Sequence, residues 1–334
     1  MNKTLAAAIA VAMSSGSAFA AADGPIDGKV YGKINATYQM NDNEVKDSTY
    51  KLESNASRLG FGGATELDGG ISAIYQIEYE VYADDGTDDK ADSHALNQRN
   101  TYVGLKGGFG QVLAGKYDTP LKAAQGKFDL FNDLSGDIKA VIEGENRQNN
   151  IVQYSSPKLG GGIVATLAIV PGEEQGTDGA DLGTEVDADG PADSISGSIA
   201  YDTNGLYLAL AMDSDVVDQD IIRLVASYTM GDITLAGLYQ NAEESEDGET
   251  YANGKEEADS MGVSLAYKMG SNTLKFQYID SDSNEKVSEG EQMSLGFDHA
   301  LGKATTVFAF YTAQDSEADA SQETFVGVGM EHKF

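Results

Sequence analysis

The property of this sequence that most restricts its fold is an apolar–polar alternation of period two that returns along almost the whole chain. From Gly28 to Met40, the residues Val30, Gly32, Ile34, Ala36, Tyr38 and Met40 share one face, with Lys29, Tyr31, Lys33, Asn35, Thr37 and Gln39 on the other. From Ile71 to Val81, the residues Ala73, Tyr75, Ile77, Tyr79 and Val81 stand opposite Ser72, Gln76, Glu78 and Glu80. Successive side chains of a β-strand point to opposite faces, so this pattern sets one face in an apolar medium and one in water. No helix-period stretch is long enough to define a second domain. Beyond residue 20 no window reaches the apolar length of a membrane helix. Membrane strands are exempt from that test, because each is short and only alternate residues are apolar.

The connections are of two kinds, and they alternate. The short ones are Asp68-Gly69-Gly70, Gly107-Gly108, Pro157 to Gly161, Asp202 to Gly205, Gly231-Asp232, Gly270-Ser271-Asn272 and Leu301-Gly302-Lys303. The long, acidic ones run Asn41 to Thr49, Ala83 to Asn97, Tyr117 to Gln148, Pro171 to Asp193, roughly Ser214 to Gln219, Glu243 to Glu257, Asp282 to Ser288 and Ser316 to Ser321. Seven turns and eight loops make fifteen connections, hence sixteen antiparallel strands. Short turns at one end and long loops at the other is the layout of a transmembrane β-barrel. Sixteen membrane strands of roughly ten residues use about 160 residues, and the loops take the remainder. The final strand, Glu323 to Phe334, alternates Val326, Val328, Met330 and Phe334 against Gly327, Gly329, Glu331 and Lys333. That suits a closed sheet whose last strand pairs with its first and leaves no edge.

One connection stands apart. A hairpin turning at Gly107-Gly108 leads from Gln98 to Lys116, and the chain then runs to Gln148 without sustained alternation. A loop this long is unusual in a compact fold and is normally functional or disordered. It keeps Leu121, Phe128, Leu130, Phe131, Leu134, Ile138, Val141 and Ile142. Those anchors predict that it folds back into the barrel and narrows the lumen.

Residues 1–20 read as a secretory signal, with Lys3, an apolar run from Leu5 to Met13 and the small-x-small site Ala18-Phe19-Ala20. Residues 21–334 then form a single barrel domain. Processing removes one basic residue, so the chain's net charge of −32 becomes −33, with 54 Asp+Glu against 21 Lys+Arg. That balance opposes nucleic-acid binding, which depends on Lys and Arg. There is no cysteine for disulfides.

Four stretches, in order and spacing, resemble the general diffusion porins of Gram-negative outer membranes. They are Val30-Tyr31-Gly32-Lys33, Ser57 to Gly63 (SRLGFGG), Tyr102-Val103-Gly104-Leu105 through Gly115-Lys116, and Val326-Gly327-Val328 to Phe334. The similarity is dense over the first half and the last strand. It rests mainly on hairpin rhythm between Pro171 and Ala320. The resemblance implies a bacterial outer-membrane, sixteen-stranded homotrimer with periplasmic turns and extracellular loops, passing ions and small hydrophilic solutes passively and needing no cofactor. It implies contact with membrane lipid and lipopolysaccharide, and a terminal Phe334 read by the barrel insertion machinery. Ala83 to Asn97 is the candidate latch onto a neighbouring subunit.

In such porins the third long loop sets carboxylates against a basic ladder on the wall. By resemblance Lys33, Arg58, Lys116 and Arg147 form that ladder, Asp129 and Asp133 face it, and Glu78 pairs with the arginines from the wall. Lys33 is also placed in the lumen by its own strand, since a charge facing lipid near the midplane costs about 2–4 kcal/mol. The tip Asp129 to Asp137 departs from the family's Pro-Glu-Phe-Gly-Gly-Asp pattern, with Asn132 for the proline and Leu134 for the aromatic. The acidic excess predicts a moderate cation preference. The rival within membrane proteins, an oligosaccharide or anion channel, calls for an aromatic slide or a dense basic ladder, whereas the chain has no Trp and only 22 Lys+Arg. An enzyme needs a nucleophile with a base, and His94, His299 and His332 carry no motif. A soluble β-sandwich binding module is the third reading. The near-calcium-loop spacing of Asp280, Asp282, Asn284 and Glu291 fails at Glu285, where glycine is needed.

Overall fold

In the computed structural model the described residues are 27–43, 46–86, 96–172, 190–245, 257–284, 290–316 and 321–334. The expected signal sequence, most of the Ala83–Asn97 segment and the tips of several acidic loops lie outside them. The strands are β1 (Asp27–Asn43), β2 (Lys46–Ser54, resumed as Arg58–Glu66), β3 (Ser72–Val81), β4 (Leu96–Gln98, resumed as Thr101–Gly107), β5 (Gly110–Asp118) and β6 (Arg147–Ser155). They continue as β7 (Ile163–Val170), β8 (Ser194–Thr203), β9 (Leu206–Ser214), β10 (Gln219–Met230) and β11 (Ile233–Glu244). The last five are β12 (Glu257–Met269), β13 (Asn272–Ser283), β14 (Gly290–Ala300), β15 (Thr305–Ser316) and β16 (Ser321–Lys333). Two strands are each split once, so the 18 hydrogen-bonded segments of the single sheet make sixteen strands.

Every strand pairs antiparallel with the one before it, and β16 closes onto β1 from Lys33 opposite Lys333 to Asn43 opposite Glu323. Phe334 completes the seam: its N–H donates to the Gly32 carbonyl at 3.0 Å and its carbonyl accepts from the Gly32 N–H at 2.9 Å. A closed sheet satisfies all its backbone groups between strands, which is what a hydrocarbon medium demands.

The alternation appears as two faces. Outward are Leu208, Leu210 and Met212 on β9, Ile222 and Leu224 on β10, Met261, Val263 and Leu265 on β12, and Val326, Val328 and Met330 on β16, all exposed. Inward and buried are Asn35, Thr37 and Gln39 on β1, Gln277 on β13 and Thr312 on β15. The apolar core is therefore not in the wall but inside the lumen. Leu121, Ala124, Phe128, Ile138 and Ile142, all from the long loop between β5 and β6, pack on Ala209, Ala211, Ala236, Leu238, Ala242 and Ile279 of β9, β11 and β13. The alanines on the inner wall leave the space that the loop fills. Fully burying each large side chain contributes about 1.5–3 kcal/mol. The loop is a packed internal element, as its apolar anchors predict.

Candidate pore constriction

The loop leaves β5 through Thr119, whose hydroxyl accepts from the Lys122 N–H at 3.2 Å and caps the short helix α1 (Pro120–Ala123). Proline at the first helical position loses nothing there, because that N–H has no partner in the helix. Beyond the helix, two phenylalanines sit on glycines of the wall. A Cβ at Gly262 would lie 2.5 Å from Phe128 Cζ, and one at Gly296 2.8 Å from Phe131 Cε1. Glycine is required at both for the rings to approach the sheet.

Where the loop packs on the wall its backbone polar groups need partners, and inward glutamines supply them. Gln277 accepts from the Leu130 N–H at 2.9 Å and donates to the Gly136 carbonyl at 3.0 Å. Gln314 donates to the Ser135 carbonyl at 2.6 Å, and Gln292 to that of Asp137 at 3.3 Å. An amide side chain suits this task because it both donates and accepts. The return leg is held by Arg223, fully buried on β10. It donates to Glu145 Oε1 at 2.6 Å, the Glu143 carbonyl at 2.7 Å, the Leu121 carbonyl at 3.4 Å and Gln240 Oε1 at 2.7 Å. One guanidinium thus ties both legs of the loop to the wall. Burial raises the Glu145 carboxyl above its ordinary range even with Arg223 and Lys122 beside it.

At the tip, Asp133 has φ +66°, a left-handed conformation that side chains rarely adopt. Its N–H donates to Asp137 Oδ2 at 2.8 Å. That twist delivers the carboxylate to the wall, where Oδ2 accepts from Lys33 Nζ at 2.9 Å and Arg58 at 2.6 Å. Burial by itself raises this carboxyl, but Lys33 and Arg58 outweigh it and hold Asp133 below the usual carboxylate range. Lys33 also reaches Glu331 on β16 at 3.2 Å.

Asp129 is a correction. It does not join Asp133 opposite the wall cations: Oδ1 accepts from the Phe131 N–H at 3.0 Å and Oδ2 from Asn132 at 3.3 Å. An aspartate can fold its own backbone this way in an Asx turn. Among the described residues it makes no ion pair. Burial, with Asp137 adding to it, pushes its carboxyl up to about 7.

The wall itself forms two networks. In the first, Gly60 leaves room for the Tyr31 ring, since a Cβ there would stand 2.3 Å from Tyr31 Cζ. The Tyr31 hydroxyl donates to Glu78 Oε2 at 2.9 Å. Glu78 Oε1 meets Arg99 at 3.0 Å and Arg58 at 3.9 Å, and Arg99 also reaches Glu80 at 2.8 Å. Arg58 is aimed by the split in β2, where Ala56 has φ +47° and its carbonyl accepts from Arg58 Nε at 3.0 Å. In the second network Arg147 meets Asp118 at 3.0 Å, and Asn100 joins the two, accepting from Arg147 at 2.6 Å and donating to Asp118 at 2.9 Å. Lys122 adds a contact to Asp118 at 3.6 Å.

Of the residues expected from the sequence, Lys33, Arg58, Glu78 and Asp133 are brought into one connected cluster, with Arg147 in its neighbour. Lys116 sits at an irregularity in β5 between Gly115 and Tyr117 and makes no ion pair among the described residues. Sequence reasoning missed Arg99, Glu80, Asn100, Asp118, Glu331 and Arg223. Glu80 and Arg223 carried a signal, being charged residues on the inward alternation of β3 and β10. Arg99 and Asn100 carried none, because they fill the break in β4 where alternation is suspended. Among the described residues no group of three or more His, Asp or Glu is arranged to hold a metal ion.

A family model described as Gram-negative porin matches residues 6–319. The outer membrane porin protein 32 of Delftia acidovorans is 31% identical over 372 residues, covering 100% of both chains. Among solved structures, one titled an anion-selective porin from Comamonas acidovorans superposes with a TM-score of 0.74 at 24% identity, over 92% of this chain and 100% of that one. A trimer form of OmpT, an outer membrane protein of Vibrio cholerae, gives a TM-score of 0.65 at 16% identity, over 93% and 100%.

Proposed function

The chain belongs to the Gram-negative porin family, and from that premise we propose that this outer-membrane porin passes ions and small hydrophilic solutes passively with a moderate preference for cations. One observation carries the ion preference: at the constriction Lys33, Arg58, Arg99 and Arg147 are each engaged by an acid within 3.0 Å. Paired cations contribute little long-range field. The acidic excess of the whole chain, −32, then acts at the mouth, where one sign of charge concentrates counter-ions and speeds their entry. Across the narrow gap the remaining transverse field orients dipolar solutes. Passage spends no energy on capture, as a channel requires.

The protein works as a homotrimer in this reading, in line with the trimeric form of one structural relative. Export proceeds through a cleaved leader at residues 1–20, and the C-terminal strand ending at Phe334 serves as the insertion signal. The rim contacts lipopolysaccharide.

Reversal potentials of purified protein in KCl gradients test the preference. Mouth charge is screened over about 10 Å at 0.1 M salt and about 3 Å at 1 M. The expected result is cation preference in dilute salt that fades towards 1 M. A second reading, anion preference, draws on the relative titled as anion-selective and on Lys116, which makes no ion pair among the described residues. It predicts a reversal potential of opposite sign that changes little with salt.

A further inference from the structure

Lys275 stands on the inward face of β13, two residues before Gln277, on the wall against which the constriction loop packs. Its side chain is only 12% exposed, and an ammonium has three N–H donors to place. It donates to the Leu130 carbonyl at 3.1 Å, pairs with Asp298 Oδ1 at 3.0 Å and lies 4.8 Å from the centre of the Phe131 ring. Gly296 makes that meeting possible, since a Cβ there would stand 2.9 Å from Lys275 Cε and 2.8 Å from Phe131 Cε1. Lys275 is thus held under the loop and pairs with the wall acid Asp298, whereas the cations engaging Asp133 are Lys33 and Arg58.

Gln277 and Lys275 together grip one loop residue at both of its backbone groups. The first accepts from the Leu130 N–H at 2.9 Å, and the second donates to the Leu130 carbonyl. A side-chain amide can grip any residue of the loop, because every non-proline peptide offers an N–H. The ammonium discriminates, since a cation is attracted to the face of an aromatic ring. Phe131 offers such a face, and its neighbours Leu130 and Asn132 do not. Register matters here because Asp133, two residues on, ends 2.9 Å from Lys33. A slip of one extended residue, about 3.3 Å, would break that contact. We propose that Lys275 is a positioning residue for the pore: by taking the Phe131 ring and the Leu130 carbonyl it sets the register of the loop on the wall, and so how far the tip reaches into the lumen. What it governs is the cross-section of the channel rather than its ion preference.

The experiment uses purified, inserted barrels of K275M, K275R, D298N, F131L and K275M/F131L. Trypsin cleavage between residues 117 and 148 follows the population of undocked loop when redocking is fast. K275M keeps the stem without the charge, so cleavage should speed up about tenfold or more, the scale of one hydrogen bond to a charged group. K275R keeps a donor and a cation for the ring, and should return cleavage to within about threefold of wild type. D298N leaves Lys275 its carbonyl and its ring, and should speed cleavage no more than about fivefold, the scale of a partly exposed ion pair. The effect in K275M/F131L should fall short of the product of the two single effects by about two- to fivefold, the scale of one cation–ring contact. In proteoliposomes K275M should admit raffinose, relative to glucose, faster than wild type, and K275R should not. K275Q, which keeps a donor for the Leu130 carbonyl but no charge, serves in the same comparison should K275M insert poorly, with the same coupling to F131L expected. Wild-type cleavage in K275M, equal cleavage in K275M and D298N, or full additivity with F131L overturns the clamp. Faster cleavage with an unchanged sugar profile overturns its part in pore size. The clamp rests on the channel reading above only where swelling is measured: a wild type that does not swell overturns that reading, and the cleavage series still decides the clamp.

Discussion

Replacing Arg223 with methionine examines how the constriction loop is held. The guanidinium is fully buried and makes four contacts, to Glu145, Gln240 and the carbonyls of Glu143 and Leu121. Methionine matches its length without its charge, so Glu145, only 6% exposed, loses its cation inside the barrel. Breaking a buried pair by removing one partner costs about 3–5 kcal/mol. With a factor of ten for each 1.36 kcal/mol, the docked state of the loop is disfavoured by about 10²- to 5 × 10³-fold. The barrel itself keeps all its strand pairing, so the loss should fall on the loop: conductance noise and protease cleavage between residues 117 and 148 both increase.

The pH dependence gives the mechanism a signature. Glu145 already has a raised carboxyl, and without Arg223 it is raised further. A carboxyl that binds its proton more tightly when docked favours docking at low pH, and that advantage is lost as pH rises through its folded value. R223M should therefore be noisy at neutral pH and quieter in acid, and R223M/E145Q should be quiet at both. A trace for R223M as quiet as wild type at every pH would refute the reasoning, as would a double variant as noisy as the single.

Two further outcomes follow from the geometry. Gly262→Val puts a branched side chain where Phe128 Cζ now lies 2.5 Å from an added Cβ, which should displace the loop and raise single-channel conductance, with Gly302→Ala, whose added Cβ meets nothing within 4 Å, as the control. Asp129, pushed up to about 7 by burial and Asp137, is neutral below that value and charged above it. Cation preference should step up between pH 6 and 8 in wild type and lose the step in Asp129→Asn.

How much of this was legible beforehand differs by element. Strand number, closure and the inward loop all came from patterns that span many residues, such as the alternation from Val30 to Met40 and the apolar anchors from Leu121 to Ile142. Lys33 was assigned because it lies on the polar parity of a long regular strand. Arg99 and Asn100 escaped because parity has no meaning inside the break in β4, and only the fold shows both reaching lumenal acids. Asp129 and Asp133 look alike in sequence, four residues apart in one acidic tip. What separates them is the backbone: Asp133 is twisted to φ +66° and presented to Lys33 and Arg58, while Asp129 accepts from the N–H of Phe131 two residues on. Arg223 sat on an inward parity in plain view. Its weight came from carbonyls of residues about 80 and 102 positions away, a separation that no local pattern reports.

The central claim is that the loop between β5 and β6 narrows a water-filled path through the barrel, and solute exclusion tests it most directly. Proteoliposomes carrying the purified protein are placed in iso-osmolar sugars of increasing size, and the swelling rate is compared between wild type and a variant in which residues 127–137 are replaced by a short Gly-Ser link. The account predicts that the wild type swells quickly in small sugars and progressively more slowly in larger ones, and that the variant admits sugars the wild type excludes. No swelling with the wild type, or the same exclusion profile in a correctly inserted variant, would contradict it.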